Sequence, residues 1–113
     1  MDGSSVTNET GTFLCKTGDI PETGVLRVVV AGFPPLAVYN LEGQFYATED
    51  ICSHGNASLS GGFIEGGTII CPLHFGSFDI RTGEAVDAPC SREIETYPVT
   101  LQGNDILVSR RDR

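Results

Sequence analysis

Two short Cys-His pairs constrain this chain more than any other feature of its sequence. Cys52-Ser-His54 is followed, after sixteen residues, by Cys71-Pro-Leu-His74, and these segments hold both histidines and half of the four cysteines. Cysteine sulfur and histidine nitrogen are common protein ligands for iron and zinc. We therefore expect two separate loops that bring the four side chains to one point in space.

Mixed Cys and His ligation from two loops is typical of one kind of iron–sulfur centre. In a Rieske [2Fe–2S] centre, two histidines replace two cysteines on one of the irons. The pattern C-x-H-x16-C-x2-H supplies that ligand set, with one Cys and one His from each loop. A structural zinc site would use the same atoms, but its common spacings pair Cys with Cys and His with His. The C-x4-C-x2-C spacing of plant-type ferredoxins is absent from the chain.

The rest of the sequence favours an all-β fold, a sandwich or barrel of small antiparallel sheets. Short apolar segments alternate with turn signals at intervals of about 8–12 residues, and no long stretch has helical periodicity. The predicted strands are 13–16, 26–30, 37–41, 44–48, 68–71, 77–80, 84–86, 93–101 and 105–109. Turns are predicted at Glu42-Gly43, which suits a two-residue hairpin, at 81–83 and at 102–104.

The length of the chain predicts one domain, 1–113, large enough to bury a modest core. The ligand loops are expected at about 49–62 and 71–79, and the polar ends, 1–11 and 110–113, are expected to be flexible. No apolar run approaches the roughly 18 residues that span a bilayer. The N-terminal residues lack the basic and apolar regions of a secretory signal.

The missing signal predicts a reducing, cytoplasmic location. In such a compartment four cysteines indicate metal binding more often than disulfides. We expect Cys15 and Cys90, which lie outside the motif, to be small buried apolar residues.

The charge of the chain bears on its partners. Fifteen acidic against seven basic residues give a net charge of −8, which argues against nucleic acid and anionic membranes and favours basic patches on partner proteins. Apart from the histidines, 51–64 and 66–78 carry no charged side chain. This predicts an uncharged docking tip bordered by carboxylates, namely Glu49, Asp50, Glu65, Asp79 and Asp87.

Several segments together resemble the Rieske ferredoxins of bacterial aromatic-ring-hydroxylating dioxygenase systems. They are Cys-Ser-His-Gly at 52–55, Gly-Gly-Phe at 61–63, Cys-Pro-Leu-His-Phe-Gly-Ser-Phe-Asp at 71–79 and Arg-Thr-Gly at 81–83. The resemblance implies a three-sheet β fold with one [2Fe–2S] cluster at its tip. It places Cys52 and Cys71 on one iron, and His54 and His74 on the other. It also implies a soluble, monomeric electron carrier between an NAD(P)H-dependent flavoprotein reductase and a terminal Rieske oxygenase.

The resemblance also predicts the redox range. High-potential Rieske proteins join their loops by a disulfide, and the matching positions here are Ala57 and Leu73. Those proteins also place a Ser and a Tyr hydroxyl near the cluster sulfurs, where this chain has Gly76 and Phe78. Because hydrogen bonds to the sulfurs raise the potential, we expect a midpoint near the low end of the Rieske range, roughly −150 mV. Ser77 is a shifted hydroxyl that would partly offset this effect.

An oxygenase, a subunit of a reductase complex and a sensor are the alternatives to an electron carrier. An oxygenase needs a second iron held by two histidines and a carboxylate, and both histidines are already used, so the chain is not predicted to be an enzyme. A small Rieske subunit of a reductase complex, such as nitrite reductase, would carry the same motif. A sensor that acts by cluster loss is a third possibility, although the acidic charge argues against DNA as its target.

Overall fold

The computed structural model describes residues 11–52, 57–72, 75–87 and 92–109, which form antiparallel β-strands and two short 3₁₀ turns. The turns are Thr17–Asp19 and Leu59–Gly61. The strands are β1 Thr12–Lys16, β2 Val25–Val28, β3 Leu36–Leu41, β4 Gln44–Glu49, β5 Phe63–Glu65, β6 Thr68–Ile70, β7 Ser77–Asp79, β8 Ala85–Asp87, β9 Thr96–Tyr97, β10 Val99–Gln102 and β11 Asp105–Val108. None of the described residues forms a helix long and apolar enough to cross a membrane.

The strands form three sheets, in the orders β1-β11-β10, β2-β3-β4-β9 and β5-β6-β7-β8. All pairings are antiparallel. This confirms the prediction of an all-β fold with three small sheets. We call the third sheet the ligand sheet, because Cys71 follows its strand β6.

Strand β3 lies between two hydrophobic cores, because successive side chains of a strand point to opposite faces. Leu36 and Val38 belong to one core, which we call the basal core; it also contains Leu14, Cys15, Ala47, Ile106 and Val108. Ala37 and Tyr39 belong to the other, the ligand-side core; it also contains Val25, Cys52, Leu59, Ile69, Cys71, Phe78, Ile80 and Ile94. Both sequence-predicted cysteine ligands therefore lie in the second core.

The hairpin between β3 and β4 forms as the sequence predicts. Glu42 and Gly43 have φ angles of 54° and 91°, and a two-residue turn with two positive φ angles matches the twist of the flanking strands. The N–H of Gly43 donates to Asn40 Oδ1 at 2.8 Å. The turn fixes the register Leu41↔Gln44 and, through it, the full β3–β4 ladder.

The strands differ from the sequence predictions in two places. β5, Phe63–Glu65, was not predicted, because it is too short to show a period. The sequence predicts one strand over 93–101, where the structure has β9 and β10 on either side of Pro98. Because proline lacks an N–H and cannot continue a ladder, the chain changes sheet there. β9 pairs with β4, whereas β10 pairs with β11.

A buried hydrogen bond joins β3 to β4 beside the ligand-side core. The Tyr39 hydroxyl lies 2.9 Å from Thr48 Oγ1, and both side chains are fully buried. Burial raises the pKa of Tyr39; the bond to Thr48 opposes this shift and the charge of Asp50 adds to it. Tyr39 therefore keeps its proton in the folded protein at pH values where an unfolded chain loses it.

Tyr39→Phe is expected to lower the free energy of unfolding by about 1 kcal/mol at neutral pH, because one buried hydrogen bond is lost. The stability that the raised pKa of Tyr39 contributes is present below the unfolded pKa of about 10 and is lost as pH rises towards the folded pKa. The deficit of the variant should therefore shrink above that pH. Urea unfolding of both proteins across the alkaline range measures it, and a deficit that stays constant with pH would contradict the assignment.

Candidate metal centre

The first sequence-predicted loop leaves the end of β4. Ile51 forms an isolated bridge with Ser58, and the N–H of Cys52 donates to the carbonyl of Ala57 at 3.0 Å. Leu59 then donates its N–H to the carbonyl of Asp50 at 2.6 Å. The loop 52–57 is thereby closed at its base, and the side chain of Cys52 is 2% exposed.

The second loop has the same construction at the end of β6. Ile70 pairs with Ser77, and the N–H of Cys71 donates to the carbonyl of Gly76 at 2.7 Å. In both loops the cysteine therefore bonds to a carbonyl five residues later. Phe75 has a φ of 64°, which turns the chain back so that its N–H reaches the carbonyl of Cys71 at 3.0 Å. The described residues therefore close both loops at their bases, and 53–56 and 73–74 lie outside the description.

The two loops meet at their bases. Cys52 and Cys71 are equally buried and belong to the same core. The chain after the first loop packs closely on the second, because a Cβ atom at Gly62 would overlap the carbonyl oxygen of Ile70 and lie 3.2 Å from Pro72 Cδ. Only glycine permits this approach, which keeps the starting points of the two loops together.

The donor set suits an iron–sulfur centre with mixed ligands. Two cysteines sheltered from water at the bases of matching loops provide the sulfur half of the set. His54 and His74 lie in 53–56 and 73–74, outside the described residues. In the part of the chain that the structure describes, no group of three or more His, Cys, Asp or Glu side chains could hold a metal ion. The assignment of the two histidines therefore stays a prediction.

Other sequence predictions near the site have mixed outcomes. Cys15 is buried in the basal core, as predicted, and burial together with the charge of Asp19 raises the pKa of its thiol. Gly76 and Phe78, the positions without hydroxyls, are buried next to the second loop, and so is Ser77. Cys90 and Leu73 lie outside the described residues.

The predicted ring of carboxylates is wrong in one member. Asp50 is fully buried, and its carboxylate accepts hydrogen bonds from Ser60 and Arg27. Asp79 is partly buried and accepts the N–H groups of Arg81 and Thr82. Glu65 is exposed, as predicted, and the side chain of Asp87 lies outside the description.

Large apolar side chains are exposed around the two loops. Ile51, one residue before Cys52, is 46% exposed, and Phe75, in the second loop, is 66% exposed. Pro72 is exposed beside them. An uncharged surface with apolar side chains beside a redox centre allows close contact with another protein without the cost of burying charge.

The partners of Asp50 were not predicted from the sequence. Asp50 is two residues before Cys52, but its partner Arg27 is 23 residues away along the chain. Nothing in the local pattern indicates that β2 passes the first loop, so the pair could not be read from the sequence.

Gly62→Ala is expected to destabilise the protein by about 1–3 kcal/mol, because the added methyl group overlaps backbone that cannot move independently. It should also reduce the iron bound per chain, since the two loop bases are pushed apart. Thermal unfolding and iron analysis measure the two effects. Gly61→Ala is the matched control, because its Cβ would lie at an ordinary 3.9 Å from Pro72 Cγ. Equal behaviour of the two variants would show that the approach at Gly62 does not hold the loops.

Comparison with known proteins agrees with this geometry. The family model of the Rieske [2Fe-2S] domain matches residues 11–98. The ferredoxin component of the p-cumate 2,3-dioxygenase system of Pseudomonas putida is 48% identical over 96 residues, covering 84% of this chain and 81% of that protein. The ferredoxin component of the naphthalene 1,2-dioxygenase system of Pseudomonas aeruginosa is 49% identical over 90 residues, covering 80% and 86%.

Solved structures extend the comparison. The complex of reduced oxygenase and oxidized ferredoxin in carbazole 1,9a-dioxygenase contains a chain that matches with a TM-score of 0.81 and 38% identity, over 89% of this chain and 94% of that one. A putative nitrite reductase small subunit matches with a TM-score of 0.74 at 22% identity, over 87% and 96%, which shows a shared fold alone. The family model covers most of the sequence, and relatives at 48–49% identity match most of the chain. Together with the two loop bases that share one core, these matches establish that this chain belongs to the Rieske [2Fe-2S] domain family.

Proposed function

We propose that this chain is a soluble one-electron carrier of an aromatic-ring-hydroxylating dioxygenase system. It takes electrons from an NAD(P)H-dependent flavoprotein reductase and passes them to a terminal Rieske oxygenase. Cys52, His54, Cys71 and His74 hold one [2Fe–2S] cluster. The observation that carries the proposal is the burial of Cys52 and Cys71 in one core, at the bases of two loops closed in the same way.

The chemistry of this cluster fits a carrier. When bound with two thiolates and two neutral imidazoles, the oxidised cluster is neutral overall and accepts a single electron more readily than a cluster with four thiolates. The chain's own contribution is to fix the ligands and keep water from the sulfurs. Catalysis on an organic substrate belongs to the oxygenase, because both histidines of this chain are committed to the cluster.

The names of the relatives support the proposed partner proteins of this chain. The p-cumate and naphthalene relatives are named as ferredoxin components of dioxygenase systems, and the carbazole complex joins a ferredoxin to its oxygenase. The exposed Ile51, Pro72 and Phe75 form the surface that either partner would contact in turn. A single domain, working as a cytoplasmic monomer, suits a shuttle with one tip for two partners. The net charge of −8 disfavours nucleic acid and anionic membrane surfaces.

The small subunit of a nitrite reductase is the weaker candidate. The similarity to such a protein is at the level of the fold, with 22% identity, whereas relatives named as dioxygenase ferredoxins share 43–49%. The different substrates of these relatives also show why the chain does not name its own pathway. The oxygenase selects the substrate, and the carrier needs only a docking surface and a redox potential that match those of its partners.

His54→Ala and Cys52→Ala are each expected to abolish the [2Fe–2S] cluster, because the remaining three ligands cannot complete both irons. Iron analysis and the EPR spectrum of the reduced, anaerobic protein measure the loss. Cys15→Ala is the matched control, since this cysteine is also buried but lies in the basal core, and it should keep full iron content. Zinc in place of iron in the wild-type protein would refute the carrier function.

A redox titration is expected to give a midpoint near the low end of the Rieske range, roughly −150 mV. Phe78→Tyr should raise that midpoint, because a hydroxyl added at this buried position can donate to a cluster sulfur. Phe63→Tyr, at an exposed position outside the ligand loops, serves as the control and should leave the potential unchanged. A wild-type midpoint well above zero would contradict the interpretation of Gly76 and Phe78.

A further inference from the structure

Asp50 carries a fully buried carboxylate directly before the first ligand loop. Its Oδ1 accepts the N–H of Ser60 at 2.8 Å. Its Oδ2 accepts Arg27 Nε at 3.1 Å and the hydroxyl of Ser60 at 3.2 Å. A buried carboxylate is costly unless it is paired and hydrogen-bonded, and these contacts satisfy both of its oxygens.

The backbone of Asp50 is bound from two further directions. Its N–H donates to the carbonyl of Pro35 at 2.8 Å, and its carbonyl accepts the N–H of Leu59 at 2.6 Å. Asp50 therefore connects three parts of the chain: strand β2 through Arg27, the segment before β3 through Pro35, and the 3₁₀ turn Leu59–Gly61 through Leu59 and Ser60. This turn is where the chain returns from the first ligand loop.

The two ligand loops differ in what supports them. The stems of the second loop are β6 and β7, which pair through Thr68↔Asp79, Ile69↔Phe78 and Ile70↔Ser77. Among the described residues, the isolated bridge Ile51↔Ser58 joins the stems of the first loop, after which the chain enters the 3₁₀ turn. The described part of this loop therefore has no ladder of three pairs like that of β6 and β7, and the contacts of Asp50 lie next to the bridge.

We propose that Asp50 is a positioning residue for the metal centre: its carboxylate, held by Arg27, joins the outgoing and returning stems of the first loop and thereby sets the position of Cys52. This inference rests on the proposed ligand set, because it assigns Asp50 a role towards one of those ligands. It adds a residue that does not contact the cluster and that acts through the loop. Partners that orient metal ligands in this way typically change metal affinity by 10–100-fold when they are mutated.

Asp50→Asn tests the proposal with little change in size. Every described group that faces the carboxylate is a donor, so the Asn amide must point its own N–H₂ at the Nε–H of Arg27 or at the N–H of Ser60. Asp19→Asn is the matched control. Its carboxylate also accepts a backbone N–H group, that of Lys16 at 2.9 Å, but in the turn Thr17–Asp19, outside the segments that form and support the two ligand loops.

Three measurements separate positioning from general stability. The rate at which a chelator removes iron from the holoprotein should rise roughly tenfold or more for Asp50→Asn and stay near the wild-type rate for Asp19→Asn. The EPR g values of the reduced holoprotein should shift only for Asp50→Asn, because they report the geometry of the ligands. Amide hydrogen exchange at Leu59 and Cys52 should accelerate in Asp50→Asn, and at Lys16 in Asp19→Asn.

Asp50→Asn with the g values and iron-release rate of the wild type would overturn the proposal. If Asp50→Asn does not fold, Ser60→Ala removes one hydroxyl donor while keeping the ion pair, and it should shift the same three readouts in the same direction by a smaller amount. A wild-type protein without a Rieske signal would instead refute the ligand assignment. Amide exchange of the iron-free protein would then still decide whether Asp50 joins the stems, so the two failures are distinguishable.

Discussion

The structure depends on strand β3, which is buried on both faces. Strand β3 sends Leu36 and Val38 into the basal core, and Ala37 and Tyr39 into the ligand-side core. A slip of one residue would exchange these two sets, so the hydrophobic pattern fixes the register of β3 and, through the Glu42-Gly43 turn, that of β4. Because the first ligand loop begins just beyond β4, the packing of β3 also determines where Cys52 lies.

The bases of the two ligand loops are closed in the same way but are supported differently. Each is closed by a hydrogen bond from the cysteine N–H to a carbonyl five residues later. The second loop inherits its rigidity from a β ladder, whereas the first relies on a buried carboxylate and its arginine. A binding site made from two loops therefore does not need two identical scaffolds. It needs two bases that are held at a fixed separation, which the contact at Gly62 provides.

The elements that local chemistry determines were predictable from the sequence. The Cys-His spacing indicated the cluster, and Glu42-Gly43 indicated a hairpin whose φ angles the structure confirms. What escaped prediction depends on contacts between distant segments. Asp50 looks like a surface carboxylate in the sequence, and only the passage of β2 beside the first loop buries it against Arg27. The change of sheet at Pro98 has a local cause, but which two sheets it connects is set by the whole topology. The two histidines lie outside the described residues, so their placement stays a prediction.

The burial of Cys52 and Cys71 also has a consequence for the relation between stability and metal binding. Both cysteines belong to the ligand-side core, together with Leu59, Ile69 and Phe78. The apolar packing that stabilises this part of the domain is therefore the same packing that places the two thiols. A substitution that loosens this core changes the free energy of unfolding and the positions of the thiols together, so the two properties cannot vary independently during evolution.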